Sequence, residues 1–546
     1  MNEFRNVEEV IWDIKNLVVK KWYLYSLCMI LFEDFHAVAE ELHTIDAHSR
    51  VSTKEASLII GFLIQNNLKL DRPNTPDDLI NMKQETYKLL KELHQSLNKP
   101  FLKKITEVFD GWHKTGNYRE DLKAFFGTGD MLIEPMFYSG TGVYDIQYLE
   151  YLEKKYFYDR EWLIQNKQFD VFKTKDILKQ IKIILGEKSK KINLISKEIF
   201  TKKAEEIKKS SSIEDWEEFT ERTIPMMEIY QYRNLFPDIT YDGKVNDSLR
   251  ERGRESFYEW LIQLFVIKKS DFTLNLDLDS FFNNFSLIPS NWFNSKFQWI
   301  WFFNEFNARP IIKLNKEDYF IPICFLIFEA TYESPFYWMK EWNKLLPRAW
   351  ENRWKVWEEM VYGFLLQVFG KENIFKSIKV VTKKWSEDTD IDILCILWSK
   401  ALCIQVKSKK LTELSKIGSD EHLQKDFQGA VQDAYNQWLL SRQKILARDA
   451  KFFDNEQEII LSEGIDEVYI MGITTENYSS LAHQSHVMLN KDEEDPFPIF
   501  LTMFDLELVV HYLSDPYDFL YYIKETMNNR LYLSYLKYQS IFLKKS

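Results

Sequence analysis

Side chains that can bind a divalent cation and activate water occur close together between residues 390 and 407. Asp390 and Asp392 begin an apolar segment, and a second apolar segment, after a polar turn at Ser399-Lys400, ends in Gln405-Val406-Lys407. A hairpin would bring Asp392 beside Gln405 and Lys407, which share one face because side chains alternate along a strand. A carboxylate, an amide oxygen and an ammonium so arranged predict a site for one cation and a water that attacks a phosphodiester.

The helix that precedes the hairpin offers a further carboxylate. The apolar spacing predicts a helix over Arg353–Phe369, ending at Gly370. At about 100° per residue, Glu358 lies near the edge of its apolar stripe, and Glu359 lies nearly opposite. Glu358 is therefore expected to face the fold and Glu359 to face water. The stripe is predicted to comprise Trp354, Trp357, Val361, Phe364, Leu365 and Val368.

The segments around the hairpin predict the rest of a mixed α/β domain. Expected strands are Ser377–Lys383, Ile391–Trp398, Ala401–Lys407, Glu467–Thr474 and Pro498–Met503; expected helices are Glu421–Leu446 and two that begin at Asp505 and at Asp515-Pro516. Gln428 lies at the edge of the buried stripe of the long helix, from which its amide can reach the sheet. Gln432 is expected to lie further towards solvent.

This order of elements resembles the αβββαβ core of the PD-(D/E)XK nuclease superfamily, over Arg353 to about Arg530. The matching motifs are Trp357-Glu358-Glu359-Met360-Val361, Asp390-Ile391-Asp392-Ile393-Leu394, Ile404-Gln405-Val406-Lys407-Ser408, and Gln428 to Ala434 in the later helix. The Gln-x-Lys form is similar to Mrr-like type IV restriction endonucleases and related bacterial anti-phage nucleases. The resemblance implies a restriction-endonuclease-like C-terminal domain with a mixed sheet, preceded by a large, mostly α-helical region.

The resemblance also implies roles for individual residues. Mg²⁺ or Mn²⁺ would be held by Asp392, the Gln405 side-chain oxygen and the Val406 carbonyl, with Glu358 acting directly or through water. Lys407 would orient or deprotonate the attacking water and offset charge on the phosphate. Supporting roles fall to Asp390, Gln428 and Gln432. The neutral Gln405 replaces the usual Asp or Glu, which weakens metal binding and raises the importance of Glu358 and Asp390.

Lysines near the hairpin predict where the phosphate backbone would lie. Lys379, Lys383, Lys384, Lys409, Lys410 and Lys416 surround it in sequence. Of these, Lys383, Lys384, Lys409 and Lys410 are the expected nucleic-acid contacts. The basic run Lys188–Lys209 is diluted by Glu198, Glu205 and Glu206, so a solvated helix face is its first interpretation and a nucleic-acid contact its second.

The 546 residues predict more than one domain. We expect an all-helical region over 1–240, a helical and aromatic connecting region over 241–346, and the nuclease-like domain over 347–546. The border is placed near Ser334–Pro347. A helix is expected at Asn246–Lys269 and a hairpin within Pro310–Glu333. The aromatic segment Trp292–Phe306 is expected to pack between domains.

Composition narrows the class of protein. Apolar residues make up 45% and charged residues 28%, as in globular proteins. The net charge of −12 disfavours indiscriminate binding to nucleic acid but allows a local basic groove. The four cysteines lack CxxC spacing, and neither a basic leader nor a membrane-length apolar run is present, so a cytoplasmic location without membrane contact is expected.

Other motifs give weaker predictions of a zinc site or a phosphate-binding loop. His483-x-x-His486 lacks a third ligand, and the Gly-Thr-Gly segments at Gly127–Gly129 and Gly140–Gly142 lack the context of a phosphate loop. Three functions stay open: a metal-dependent endonuclease of prokaryotic defence or restriction acting on double-stranded DNA, an RNA-cleaving nuclease of the same fold, and a non-catalytic nucleic-acid-binding or assembly protein. A homo-oligomer is expected, and a defence-system partner protein is possible by analogy.

Overall fold

The computed structural model describes only part of the chain. The described residues are 4–35, 51–68, 70, 76–115, 137–138, 142, 144–188, 261–273, 277–340, 346–382, 387–407, 412, 415, 419–454, 457–459, 461, 464–474, 489–492 and 495–527. Contacts divide the chain into two compact units. Unit 1 comprises Met1–Ser96 and Asp159–Tyr337, and unit 2 comprises Leu97–Tyr158 and Trp338–Ser546.

The border between Tyr337 and Trp338 falls inside the expected border region Ser334–Pro347. The grouping otherwise differs from a simple succession of domains along the chain, because residues 97–158 belong with the C-terminal residues. The division into 1–240, 241–346 and 347–546 therefore stays a prediction.

The described helices are α1 (Val7–Val18), α2 (Tyr23–Phe35), α3 (Thr53–Leu63), α4 (Pro76–Thr115), α5 (Asp145–Lys155), α6 (Arg160–Lys167), α7 (171–188), α8 (Leu278–Phe285), α9 (Glu305–Ala308), α10 (Cys324–Lys340), α11 (Leu346–Phe369), α12 (Asp420–Phe427), α13 (Asp433–Ala447), α14 (Met503–Tyr512) and α15 (516–527). A π-helical turn, Gln428–Gln432, joins α12 to α13. Among the described residues, no helix has the length and apolar character needed to cross a membrane.

The described strands form two sheets. Those of the first sheet are β1 (Val266–Lys268), β2 (Ser286–Leu287), β3 (Ile311–Lys313) and β4 (Asp318–Phe320), in the order β1-β4-β3-β2. Those of the second are β5 (Ile374–Val381), β6 (Glu387–Leu397), β7 (Lys400–Lys407), β8 (Lys451–Asp454), β9 (Gln457–Ile459), β10 (Glu467–Thr474) and β11 (Ile499–Thr502), in the order β11-β10-β7-β6-β5-β8-β9.

Unit 1 combines helices with the four-stranded sheet. The stretch Tyr23–Leu31 of α2 is buried on all sides, as expected for an apolar helix at the centre of a core. Ser52 caps α3 through a reciprocal capping box with Glu55. The hairpin expected within Pro310–Glu333 is confirmed by the antiparallel pairing of β3 with β4. Of the helix expected over Asn246–Lys269, residues 246–260 lie outside the described residues and 261–263 are helical. Its end is wrong, because β1 pairs there with β4.

The aromatic segment Trp292–Phe306 belongs to unit 1. Phe297 and Phe306 are buried, and Phe297 stacks on Phe62 with ring centroids 4.9 Å apart. Trp292 and Phe303 are exposed. The segment therefore supplies both core and surface of its own unit.

Unit 2 is built on the seven-stranded mixed sheet, so the expected α/β class is confirmed. β5, β6 and β7 are antiparallel neighbours, whereas β10 pairs parallel with β7 and with β11. Between β7 and the parallel strand β10 lie α12, the π turn, α13 and the strands β8 and β9, a connection long enough for a parallel pair. The short strands β8 and β9, which extend the sheet beyond β5, were not expected from the sequence.

Helices cover both faces of this sheet. Gly472 on β10 faces α13, because a Cβ added there would lie 2.5 Å from the Trp438 ring. The opposite face carries Lys376, which pairs with Ile393 and has its ammonium 5.7 Å from the ring centroid of Tyr362 on α11. Helices α11 and α13 thus cover opposite faces of the sheet, and both contact β6 and β7.

The hairpin turn lies one residue earlier than expected. Leu397 pairs with Lys400, so the turn is Trp398-Ser399 rather than Ser399-Lys400. Trp398 adopts a left-handed backbone conformation there, with φ of 52°. The register moves by two residues as a result, which leaves every side chain on the face predicted for it.

Candidate active site

Asp392 is the buried carboxylate of the hairpin. Its side chain is only 7% exposed, and its Oδ2 accepts a hydrogen bond of 2.7 Å from the backbone N–H of Val406. This bond joins β6 to β7 beyond Ile393 and Ile404, the last paired residues of the ladder at this end. Val406, expected to offer its carbonyl to a metal, thus contacts Asp392 through its N–H group.

Gln405 and Lys407 lie beside Asp392 at the end of β7. Gln405 is 1% exposed, and its Nε2 donates to the backbone carbonyl of Asp390 over 2.8 Å. Its Oε1 accepts from Lys407 Nζ at 3.3 Å. Because the amide is held at both ends, the oxygen of Gln405 is directed towards the ammonium of Lys407.

A residue that the sequence reasoning missed completes this group. Gln437 on α13 accepts from Lys407 Nζ at 3.4 Å through its Oε1, and its Nε2 donates to Asp390 Oδ1. One amide therefore links the lysine of β7 to the exposed carboxylate of β6. The available signal was weak, because Gln437 lies next to the buried Trp438 in a helix rich in polar residues.

Glu358 on α11 acts on this group through its charge, which raises the pKa of Asp392. It is half-buried while Glu359 is exposed, as the helical phase predicts. The indole N–H of Trp354, one turn earlier, donates to Glu358 Oε1. Trp354 was expected in the buried stripe, and this is wrong: it is 39% exposed, because it lies on the same side of the helix as the half-buried Glu358, one turn on.

Burial is the main influence on the carboxyl groups of the site, and neighbouring carboxylates add to it. Burial raises the pKa of Asp392 to about 7; the hydrogen bond from Val406 and the charge of Lys407 oppose this, whereas the charges of Glu358 and Asp390 add to it. Burial also raises the pKa of Glu358, against the hydrogen bond from Trp354 and the charge of Lys376. Two titrating carboxyl groups with elevated pKa values mark a site that gains from an added positive charge.

The two glutamines expected to support the site do not reach it. Gln428 is exposed and donates to Asp433 at 2.7 Å. Gln432, expected nearer to solvent, is instead buried and exchanges hydrogen bonds with the backbone of Asn490. The π turn that contains both residues explains the error, because it adds a residue to one turn and shifts the helical phase that a period of 3.6 assumes.

Several predicted contacts lie outside the described residues. These are Lys383, Lys384, Lys409, Lys410, Lys416, His483 and His486. Lys379 is described and lies opposite Asp390 in the pairing of β5 with β6. Lys188, at the start of the basic run, donates to the backbone carbonyls of Gln263 and Val266, so this member of the run has a structural role.

The donors at the site fit one hydrated Mg²⁺ or Mn²⁺ better than a fully protein-bound metal. Among the described residues, no cluster of three or more His, Cys, Asp or Glu side chains is arranged to hold an ion. Asp392 nevertheless has a buried carboxylate with one oxygen bound to Val406, and Glu358 and the Gln405 amide lie nearby. Mg²⁺ commonly binds one or two carboxylates and keeps several waters.

Comparison with protein-family models, curated proteins and solved structures finds no match for this chain. The resemblance expected from the sequence motifs therefore stays a prediction.

Proposed function

We propose that unit 2 carries a PD-(D/E)XK-type nuclease site that hydrolyses phosphodiester bonds in DNA with Mg²⁺ or Mn²⁺ as cofactor. The observation that supports this best is the position of Asp392 and Lys407. A buried carboxylate and an ammonium, from adjacent strands, share one sheet face with an amide between them. The order helix, three antiparallel strands, crossover helix and parallel strand supports the proposal, although β8 and β9 are inserted before the parallel strand.

Asp392, the Gln405 amide oxygen and Glu358 would hold the cation, which when bound supplies positive charge for the phosphate and lowers the pKa of water. The Val406 N–H fixes the orientation of the Asp392 carboxylate. Gln437 and Gln405 restrict the position of the Lys407 ammonium.

Lys407 is the side chain proposed to act directly on the attacking water and the phosphate. Its ammonium can orient the attacking water and offset the negative charge that develops on the phosphate oxygens. The attacking water gives up a proton and its oxygen forms a bond to phosphorus, while the bond to the leaving sugar oxygen breaks and that oxygen takes up a proton. The neutral Gln405 leaves Glu358 and Asp390 as the other sources of negative charge around the cation.

The test uses the full-length protein with plasmid DNA in Mg²⁺, Mn²⁺ or EDTA. Cleavage should require a divalent ion and should fall by at least about a hundredfold in Lys407→Ala, the range for removal of a charge-stabilising group. Lys371→Ala is the matched control, because Lys371 is exposed and precedes β5 at the other end of the strand. Equal activity in Lys407→Ala and Lys371→Ala would overturn the proposal.

The role of this activity in defence against phage follows from the resemblance alone and is part of the same proposal. A protein that binds DNA in every metal but never cleaves it would instead have the non-catalytic binding function. If RNA is cut in preference to DNA, the protein would be an RNA-cleaving nuclease with the same mechanism.

A further inference from the structure

Aromatic side chains lie on both sides of Glu358 along α11. Trp354, Glu358 and Tyr362 are spaced by four residues, so they lie within about 80° of one another around the helix and extend over about 12 Å. Trp354 is 39% exposed, and Tyr362 is half-buried. We call Trp354 and Tyr362 the ring pair.

The ring pair is continuous with the candidate active site. The Trp354 indole N–H donates to Glu358, so one ring is held beside a carboxylate of the site. Glu358 in turn is close enough to Asp392 for its charge to raise the pKa of that residue. A polymer that places a phosphate at Asp392 and extends over Glu358 would pass along this face of α11.

Positive charge accompanies the rings. The Lys376 ammonium lies 5.7 Å from the ring centroid of Tyr362, and its charge acts on Glu358. The Lys355 ammonium, next to Trp354 in sequence, lies 4.7 Å from the ring centroid of Tyr158. Rings interleaved with cations beside a site for phosphate match a single-stranded nucleic acid, whose bases stack on aromatic rings while its phosphates contact lysines.

Base pairing determines whether a nucleic acid can stack its bases on these rings, and so whether a single strand or a duplex suits the site. In a duplex, bases are stacked at 3.4 Å intervals, so their faces are covered by neighbouring bases except at an end. A ring can stack only on a base that is unpaired, flipped or terminal. The exposed Trp354 ring beside the carboxylates of the site thus suits a substrate whose bases are free.

We infer that the site acts on unpaired nucleotides, with a base stacked on Trp354 and the adjoining phosphate near Lys376. This inference rests on the proposed nuclease function and changes its substrate class from duplex DNA to single-stranded DNA or to unpaired segments within a duplex. Trp354 is on this view a binding residue that also orients Glu358 through its indole N–H.

The test measures binding separately from cleavage. Fluorescence anisotropy of a labelled 20-nucleotide DNA strand, alone or annealed to its complement, is recorded in EDTA with the full-length protein. The single strand should bind more tightly, and Trp354→Ala should weaken its binding by about fivefold to a hundredfold, the range for loss of one stacked base. An RNA strand of the same sequence that binds comparably would also support stacking, since all bases have a ring face.

Two further variants separate stacking from other effects. Trp354→Phe keeps a ring but loses the indole N–H, so it should retain most of the single-strand affinity. Trp398→Ala should change nothing, because Trp398 is 74% exposed but lies at the hairpin turn, about 20 Å along β6 from Asp392. Melting temperatures of all variants verify folding.

The outcomes distinguish this inference from the nuclease proposal. Duplex bound more tightly than single strand, or equal losses in Trp354→Ala and Trp354→Phe, would overturn stacking even if Lys407→Ala still abolishes plasmid cleavage. Tight single-strand binding that depends on the Trp354 ring, without cleavage in any metal, would support stacking and overturn hydrolysis.

Discussion

The carboxyl group of Asp392 links the chemistry of the site to the stability of unit 2. In the folded protein burial raises its pKa from 3.8 to about 7, whereas in the unfolded chain it returns to the ordinary value. Between about pH 4 and 7 the folded state holds a proton that the unfolded state has lost. The free energy of unfolding therefore falls as pH rises through this window, by at most about 1.4 kcal/mol per pH unit, and levels off above it.

Asp392→Asn should remove that pH dependence. An amide oxygen can still accept the Val406 N–H bond, and no charge is buried at high pH. We expect the variant to melt at a higher temperature than the wild type at pH 8 in EDTA and at a similar temperature at pH 4, while divalent-dependent cleavage is lost. Glu359→Gln, at an exposed carboxylate, serves as the control. A lower melting temperature for Asp392→Asn at pH 8 would contradict this account.

Gln437 is the second residue whose role can be tested alone. Its amide touches Lys407 and Asp390, so Gln437→Ala should lower kcat by about tenfold and leave KM nearly unchanged, since the ammonium loses its orientation but the substrate contacts stay. Gln428→Ala, on the exposed side of the preceding turn, should be silent. An effect on melting temperature with unchanged kcat would make Gln437 a purely structural residue.

At the scale of elements, the close packing of β10 against α13 leaves no space for a side chain at position 472, which is occupied by glycine. A Cβ at this position would lie 2.5 Å from Trp438 and 2.6 Å from Phe500. Gly472→Ala should therefore destabilise unit 2 by about 1–3 kcal/mol, the usual cost of overpacking. Gly363→Ala provides a matched comparison in α11, where no neighbouring atom lies within 4 Å.

Gly363→Ala should raise the free energy of unfolding by about 0.5–1 kcal/mol, because alanine loses less conformational entropy than glycine when a helix forms. Chemical denaturation of both variants measures the two effects. Equal changes of either sign would show that the space around these glycines does not control their contribution.

The same elements show what a sequence can predict. Alternation of apolar residues located β5, β6, β7, β10 and β11, and the side-chain faces were right even though the hairpin turn was placed one residue late. That error was harmless because it shifts the register by two, and strands repeat every two residues. The π turn was harmful by contrast, because an extra residue in a helix rotates everything after it and exchanged the expected exposures of Gln428 and Gln432.

At the scale of the whole molecule, the candidate catalytic unit is not a contiguous C-terminal segment. Helix α5 belongs to unit 2, where Gln147 and Tyr151 donate hydrogen bonds to Glu507 on α14. The Tyr148 ring also packs edge-to-face on Phe504, with centroids 5.7 Å apart. Local patterns could not reveal this, because contacts between residues some 350 positions apart leave no signal in either segment. Removal of residues 1–330 would therefore damage unit 2 itself, so the role of unit 1 is better tested by point substitutions.

The oligomeric state is the property of the whole molecule that most affects its action on DNA. One sheet carries one candidate site, and simultaneous cleavage of both strands at an unpaired segment of a duplex needs two. The exposed apolar side chains of the Trp292–Phe306 segment, with Trp292 at 84% exposure, suit contact with a second copy of the chain. We expect size-exclusion chromatography with light scattering to give a dimer or higher oligomer.

Trp292→Asp combined with Phe303→Ser should lower that mass towards the monomer, because both side chains are exposed and contribute little to the core of unit 1. The same substitutions should convert plasmid linearisation into nicking, since a monomer cuts one strand at a time. Tyr512→Ser, an exposed aromatic residue in unit 2, is the control. A wild-type protein that is monomeric by light scattering and linearises plasmid without a nicked intermediate would contradict this expectation.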